Sequence, residues 1–253
     1  MINNFRDALK SQEAMTGVLV TLPSPEVVEI LSESGFDWLF FDLEHSAMSF
    51  ETLQNLLRAV SDKCFSAVRV PEATNTYVAK ALDSGAEAVI FPRISTVEEA
   101  ELAVSLSKYP PLGNRGVGLS RAHRYGREFS EYIQLANDRV ACILQVEDRL
   151  GVENVDLIAG VDGVDAIFVG PYDLSMNLGI PGDVSHPEVK DAIDKIALCR
   201  RKNLALGILS LDPKTLASYA TLGYSLLACG FDSTLLAKGA EDVLRDFANA
   251  SND

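Results

Sequence analysis

The chain is short of positive charge. Against 36 acidic side chains stand 22 basic ones, giving a net charge of -14 and a pI near 4.6. Neutralising phosphates needs clustered Lys and Arg, so nucleic acid is excluded as a partner, and an anionic membrane surface is disfavoured for the same reason. No apolar run approaches the length of about 18 residues that crosses a bilayer. The first residues, Met1-Ile-Asn-Asn-Phe-Arg-Asp-Ala-Leu-Lys10, have neither the basic start nor the apolar core of a secretory leader. Cysteine is sparse and unpaired. Cys64, Cys142, Cys199 and Cys229 lie far apart with no CxxC spacing, which reads as buried thiols rather than a metal or disulfide set. Together these absences predict a cytoplasmic protein.

What is present is the mixture of a folded domain, 47% hydrophobic and 23% charged over 253 residues. One α/β barrel commonly fills that length. Short apolar runs at 17–22, 37–43, 66–70, 88–91, 140–146, 166–169, 204–209 and 225–229 read as strands. They are nearly continuous rather than alternating, as in parallel strands covered by helices. Between them lie helix signals. Ser24-Pro25-Glu26 gives an N-cap, a first-turn proline and a first-turn acid. Thr96-Val-Glu-Glu99 is a capping box, Asp212-Pro213 opens a further helix, and Gly35, Gly85 and Gly223 supply left-handed ends. Eight strand–helix repeats predict a (β/α)8 TIM barrel, a single α/β domain over 1–253.

One connection breaks the rhythm. Tyr109-Pro-Pro-Leu-Gly-Asn-Arg-Gly-Val-Gly-Leu-Ser-Arg-Ala-His-Arg-Tyr-Gly126 is long for a compact domain, and long loops of this kind are functional or disordered. Arg115, Arg121, Arg124 and Arg127 crowd into or beside it. It reads as an ordered loop reaching a site or a neighbouring subunit, and with Arg69 as a local positive site in an acidic exterior.

Barrel enzymes place their chemistry at the carboxyl ends of the strands. The second strand ends in Asp42-Leu-Glu44-His45, the third in Arg69 before Pro71, the fifth in Gln145-Val-Glu147 and the sixth in Gly170-Pro-Tyr-Asp173. The two-residue strand period puts Gln145 and Glu147 on one face. Glu147 and Asp173 come from adjacent strands, and two oxygen ligands plus substrate and water suit Mg²⁺ or Mn²⁺. Arg69 can hold an anionic oxygen, and His45, oriented by Asp42, can move a proton. Duller roles stay open for each: carboxylates also cap helices, and Arg69 can pair with Asp42 or Glu44. His123 and His186 read as structural. All five groups nevertheless fall at one rim.

Asp37-Trp-Leu-Phe-Phe-Asp-Leu-Glu-His45, Ala67-Val-Arg-Val-Pro71, Gln145-Val-Glu147 and Val169-Gly-Pro-Tyr-Asp-Leu-Ser175 resemble the HpcH/HpaI aldolases. The likeness continues through Leu82-Asp-Ser-Gly-Ala86, Tyr109–Gly118, His186-Pro-Glu188 and Asp232–Gly239. It implies a barrel of the phosphoenolpyruvate/pyruvate-binding type and a metal-dependent aldolase that releases pyruvate from 4-hydroxy-2-oxo acids. By resemblance, Glu147 and Asp173 hold the metal, which is Mg²⁺, Mn²⁺ or Co²⁺. His45 and Asp42 form the acid/base dyad, and Arg69 binds the pyruvate oxygens and the enolate. Gln145 lies beside pyruvate, and the backbone around Gly170, Pro171, Tyr172 and Asp173 receives its carboxylate. The family also implies a homohexamer, a dimer of trimers, that exchanges the helix after Asp232, with Asp83 and Arg121 near subunit contacts. Tyr172 stands where the family usually has a small residue, and the 119–126 loop also departs from better-known members.

Schiff-base chemistry requires a lysine at a strand end. Lys63, Lys80, Lys190, Lys195, Lys202, Lys214 and Lys238 fall on helices or at strand starts, and Lys108 at a helix end. A phosphate site is disfavoured too, because Ser210-Leu-Asp-Pro213 and Gly230-Phe-Asp232 lack a glycine-rich cradle. The remaining alternatives are a CoA-thioester lyase of the citrate-lyase β type and a non-catalytic oxo-acid-binding barrel.

Overall fold

A computed structural model describes residues 4–251. Residues 1–3 and 252–253 of the expected domain lie outside the described residues. The strands are β1 (Met15–Val20), β2 (Trp38–Asp42), β3 (Phe65–Arg69), β4 (Ala88–Phe91), β5 (Ala141–Val146), β6 (Ala166–Val169), β7 (Ala205–Leu209) and β8 (Leu226–Phe231). They pair in parallel in chain order and close, β8 against β1, into a barrel. The helices are α1 (Phe5–Ser11), α2 (Pro25–Glu33), α3 (Phe50–Ala59), α4 (Asn75–Asp83), α5 (Val97–Ser107) and α6 (Phe129–Arg139). The second half adds α7 (Arg149–Ile158), α8 (Pro171–Asn177), α9 (Pro187–Leu198), α10 (Pro213–Thr221) and α11 (Asp232–Ala250). Every expected strand forms, with ends moved by at most two residues. The expected caps form as well: Ser24 accepts from the Val27 amide, Thr96 and Glu99 make the capping box, and Gly35, Gly85 and Gly223 are left-handed.

Two apolar layers divide along the strand period. One, between strands and helices, includes Val18, Leu39, Phe41, Val68, Val89, Leu144, Val169 and Ile208. The other fills the barrel, setting Trp38, Phe40 and Phe168 against Ala67, Ala88, Ala141, Ala166, Ala205 and Ala228. Large and small side chains alternate because a closed eight-stranded barrel leaves room only for interdigitated layers. Gly17 belongs to that fit: a Cβ there would lie 2.4 Å from the Trp38 indole nitrogen. Helix α1, outside the strand–helix repeat, plugs the amino end with Phe5, Ala8 and Leu9. Its Phe5 ring stacks on Phe65 at 5.0 Å.

The long fourth-to-fifth connection is ordered, but it does not form the expected positive site with Arg69. Arg115 is buried over the Tyr109 ring and donates to Asp83 and Tyr132. Arg121 donates to the carbonyls of Ser84 and Leu57, at the ends of α4 and α3. These partners precede strands, so the loop is fastened toward the amino end of the barrel. His123 is buried inside the same loop, and His186 caps α9, so both are structural here.

Helix α11 leaves the barrel. Its Asp232 carboxylate accepts from the amides of Thr21 (2.9 Å) and Leu22 (2.8 Å), which ties the helix start to the end of β1. Beyond it Leu236, Val243, Leu244 and Phe247 are exposed.

Candidate active site

The strand period carries the interior columns upward into a polar layer. Trp38 and Phe40 lead to Asp42, Ala67 leads to Arg69, Ile143 leads to Gln145, and Phe168 leads to Gly170. The β2–β3 register sets Asp42 beside Arg69. Their side chains meet as a bidentate pair, Nε to Oδ1 at 3.0 Å and Nη2 to Oδ2 at 2.8 Å, with the Phe40 ring 5.3 Å from the guanidinium carbon. Burial raises the Asp42 pKa, but the hydrogen bonds and charge of Arg69 outweigh it and hold the group below its ordinary value. Arg69 also donates to Gln145 Oε1 at 3.4 Å.

In this structure Asp42 pairs with Arg69 rather than with the His45 ring. Asp42 accepts the backbone N–H of Glu44 and of His45, and its charge is spent on Arg69 rather than on the His45 imidazole. The His45 ring is 60% exposed, with Nε2 3.6 Å from Glu44 Oε2. Asp42 therefore positions His45 through the chain, not through the ring. The reason is geometric: strand register places Arg69 directly opposite Asp42, whereas His45 lies past the strand end.

Glu147 stands just beyond β5 and is 5% exposed. One of its oxygens, Oε1, takes the Arg93 amide at 3.0 Å, and the other accepts from Gln145 Nε2. Burial first, and then the charge of Asp173, push the Glu147 pKa up to about 7. Burial also raises Glu44, although Arg69 partly opposes it. A Cβ at Gly170 would meet Glu147 Oε2 at 2.6 Å and Gln145 Nε2 at 2.8 Å, so any larger residue there would displace these two side-chain ends.

A cavity of about 470 Å³ opens over this layer. Asp42, His45, Arg69, Gln145, Gly170, Pro171, Tyr172 and Asp173 all line it. Leu19, Leu209, Leu211 and Phe231 form an apolar wall that strand-end reading missed, because ordinary apolar residues carry no local signal of facing a ligand. A second cavity of about 420 Å³ shares His45 and Asp173 and adds Glu44, Arg93, Glu147 and Asp148. Arg93 was also missed, although it follows the fourth strand at the same rim. Neither Asp83 nor Arg121 lines either cavity. Lys108 is buried, and its pKa is lowered to about 8, but its ammonium binds the Asn137 and Val140 carbonyls near the start of β5. It is at the wrong end for Schiff-base chemistry.

The donor set fits a hard divalent cation. Among the described residues no three His, Cys, Asp or Glu side chains converge to hold a metal unaided. Glu147 and Asp173 line one cavity, where the charge of Asp173 adds to burial in raising the Glu147 pKa, and Glu44 Oε2 is buried without a hydrogen-bond partner. Two carboxylates with water and substrate oxygens completing the shell is the arrangement Mg²⁺ favours.

Comparison with known proteins decides the family. The profile of the HpcH/HpaI aldolase/citrate lyase family matches residues 15–239. The chain belongs to this family. Within it, the 4-hydroxy-2-oxo-heptane-1,7-dioate aldolase of Klebsiella pneumoniae is 39% identical, over 98% of this chain and 95% of that protein. The 4-hydroxy-2-oxovalerate aldolase of Rhodococcus jostii is 36% identical, over 99% of this chain and 98% of that protein. A crystal structure of an HpcH/HpaI aldolase/citrate lyase family protein from Burkholderia cenocepacia superposes with a TM-score of 0.93 at 34% identity, covering 96% of this chain and 98% of that one.

Proposed function

We propose that this chain, a carbon–carbon lyase of the HpcH/HpaI family, reversibly cleaves a 4-hydroxy-2-oxo acid to pyruvate and an aldehyde through a pyruvate enolate. The observation that carries this reading is the convergence at one rim of the Arg69 clamp, lining the first cavity, with Glu147, lining the second, across Asp173 and His45, which line both. Glu147 and Asp173 would hold Mg²⁺, Mn²⁺ or Co²⁺, which when bound supplies Lewis-acid polarisation of the 2-oxo group. The backbone of Gly170, Pro171, Tyr172 and Asp173 borders the cavity where the substrate carboxylate would sit, beside Gln145. Arg69, held rigid by Asp42, presents its guanidinium to the 2-oxo oxygen and stabilises the charge that grows there as the C3–C4 bond breaks. His45 takes the proton of the C4 hydroxyl; its exposed ring, steadied through the Asp42-capped backbone, can approach from the rim. Protonation of the enolate at C3 completes pyruvate.

The substrates that fit are of the 4-hydroxy-2-oxoheptanedioate or 2-dehydro-3-deoxyglucarate type. Tyr172, 37% exposed at the cavity edge, bears on the aldehyde half. The exposed apolar face of α11 supports an exchanged helix within a homohexamer, and the neighbouring copy would bring Asp83 and Arg121 toward the site. Four free cysteines, three of them buried, support a reducing cytoplasmic setting.

A retro-aldol panel with Mn²⁺ or Mg²⁺, reading pyruvate through lactate dehydrogenase, tests the reaction. Metal-dependent pyruvate release is expected, and loss of it with EDTA. Cleavage of malyl-type CoA thioesters without pyruvate release from any 4-hydroxy-2-oxo acid would replace the aldolase reading with the thioester-lyase one. His45→Ala should lower the cleavage rate by about 10²–10⁴-fold while pyruvate binding persists. A variant that loses binding more than turnover contradicts the proton-transfer role.

A further inference from the structure

Arg93 sits two residues past β4 with φ +55, a left-handed conformation that costs a non-glycine residue roughly 1–2 kcal/mol. Something must hold it there. In an extended strand successive amides point to opposite sides. Here two successive ones turn to the same neighbour: Arg93 N–H donates to Glu147 Oε1 at 3.0 Å, and Ile94 N–H donates to the Gln145 carbonyl at 3.0 Å. The guanidinium closes the arrangement from outside. Its Nη2 donates to the Pro71 carbonyl at 2.9 Å and lies 3.5 Å from Glu44 Oε1, although the side chain is 63% exposed. Because Gln145 Nε2 takes the other oxygen, both oxygens of Glu147 are gripped, one from its own strand end and one from the β4 loop.

We propose that Arg93 is a positioning residue for Glu147: its left-handed backbone aims an amide at the carboxylate, and its guanidinium clamps that backbone to Pro71 and Glu44. The inference rests on the reading of Glu147 as a metal carboxylate. Its physical content is that orientation of a ligating carboxylate by an outer hydrogen bond contributes to metal affinity, commonly by about 10–100-fold. The feature that matters is the conformation at residue 93, so the residue types at that position should rank by their tolerance of positive φ. Glycine adopts it freely, and a β-branched residue hardly at all.

Mn²⁺ affinity measured by the electron paramagnetic resonance of free Mn²⁺, alongside thermal melts, tests this without turnover. Arg93→Val is expected to weaken Mn²⁺ binding about tenfold or more, and Arg93→Gly to stay within about threefold of the unaltered chain. Should Arg93→Val fail to fold, Arg93→Ala takes its place, since it loses the clamp and keeps a Cβ; it is expected to bind more weakly than Arg93→Gly. Equal affinity in the glycine and the Cβ-bearing variants, whether both are unchanged or both equally weakened, overturns the conformational role. Absence of Mn²⁺ binding by the unaltered chain instead overturns the assignment of Glu147 to a metal and takes this inference with it.

Discussion

Glu147 is the side chain whose protonation says most about the site. Its pKa is raised from 4.5 to about 7 by burial and by Asp173. A carboxyl raised in this way keeps its proton in the folded chain where the unfolded chain has already ionised. Without metal, the fold therefore loses stability as pH rises from about 4.5 to about 7, and the full penalty, about 3 kcal/mol for this group, persists above. Glu147→Gln removes the penalty. In melts with a chelator the variant should be the more stable protein at about pH 8, by as much as about 3 kcal/mol, and no different near pH 4. Added Mn²⁺ should then raise the melting temperature of the unaltered chain and leave the variant where it was. Equal chelator melts at the higher pH would show that the ionised carboxylate is solvated. At the same scale, Asp42, Arg69, Gln145 and Glu147 were recognisable from their strand-end positions. The partner of Asp42 was left open between His45, near it in sequence, and Arg69 across the strands, and register selects Arg69.

Among the elements, α1 shows what repeat counting leaves out. The alternation of strand and helix signals was legible because parallel strands buried on both faces read as unbroken apolar runs. Nothing in that alternation says which short helix stops the amino end of the barrel. Phe5 does so, fully buried against Phe65 and the Trp38 indole. Phe5→Ala should lower the unfolding free energy by about 3–5 kcal/mol in urea titrations. Mn²⁺ affinity should be unchanged, because the carboxylates lie at the other end of the strands. Loss of metal affinity in a folded Phe5→Ala protein would mean that the two ends of the barrel are coupled. The Arg115 cluster teaches a related lesson. Four arginines close in sequence looked like one positive site, yet Arg115 is consumed by Asp83, Tyr109 and Tyr132.

At the scale of the whole molecule, the exposed face of α11 is the outstanding apolar surface. Leu244 and Phe247 are about 70% exposed on a helix whose start is tied to the end of β1 by Asp232. A face of this kind is normally covered by association. Light scattering should give the unaltered protein a mass several times 27.4 kDa, and the double variant Leu244→Glu, Phe247→Glu a smaller assembly with unchanged circular dichroism. A monomeric unaltered protein would remove the exchanged-helix reading and with it the contributed Asp83 and Arg121.

By itself the sequence determined the barrel, its strand order and the identity of the polar groups at the rim, since these depend on local periodicity, caps and the two-residue alternation of strands. Only the tertiary structure decided how those groups pair. Contacts such as Asp42 with Arg69, Arg93 with Glu147 and Glu44 with Arg69 join different strand ends. The register between strands and the backbone conformation of a single loop residue create them, and neither is written in the spacing of the residues involved. The net charge of -14 is likewise a property of composition. That a buried guanidinium should sit at the mouth of so acidic a molecule, held by one carboxylate and facing others, is a property of the closed barrel.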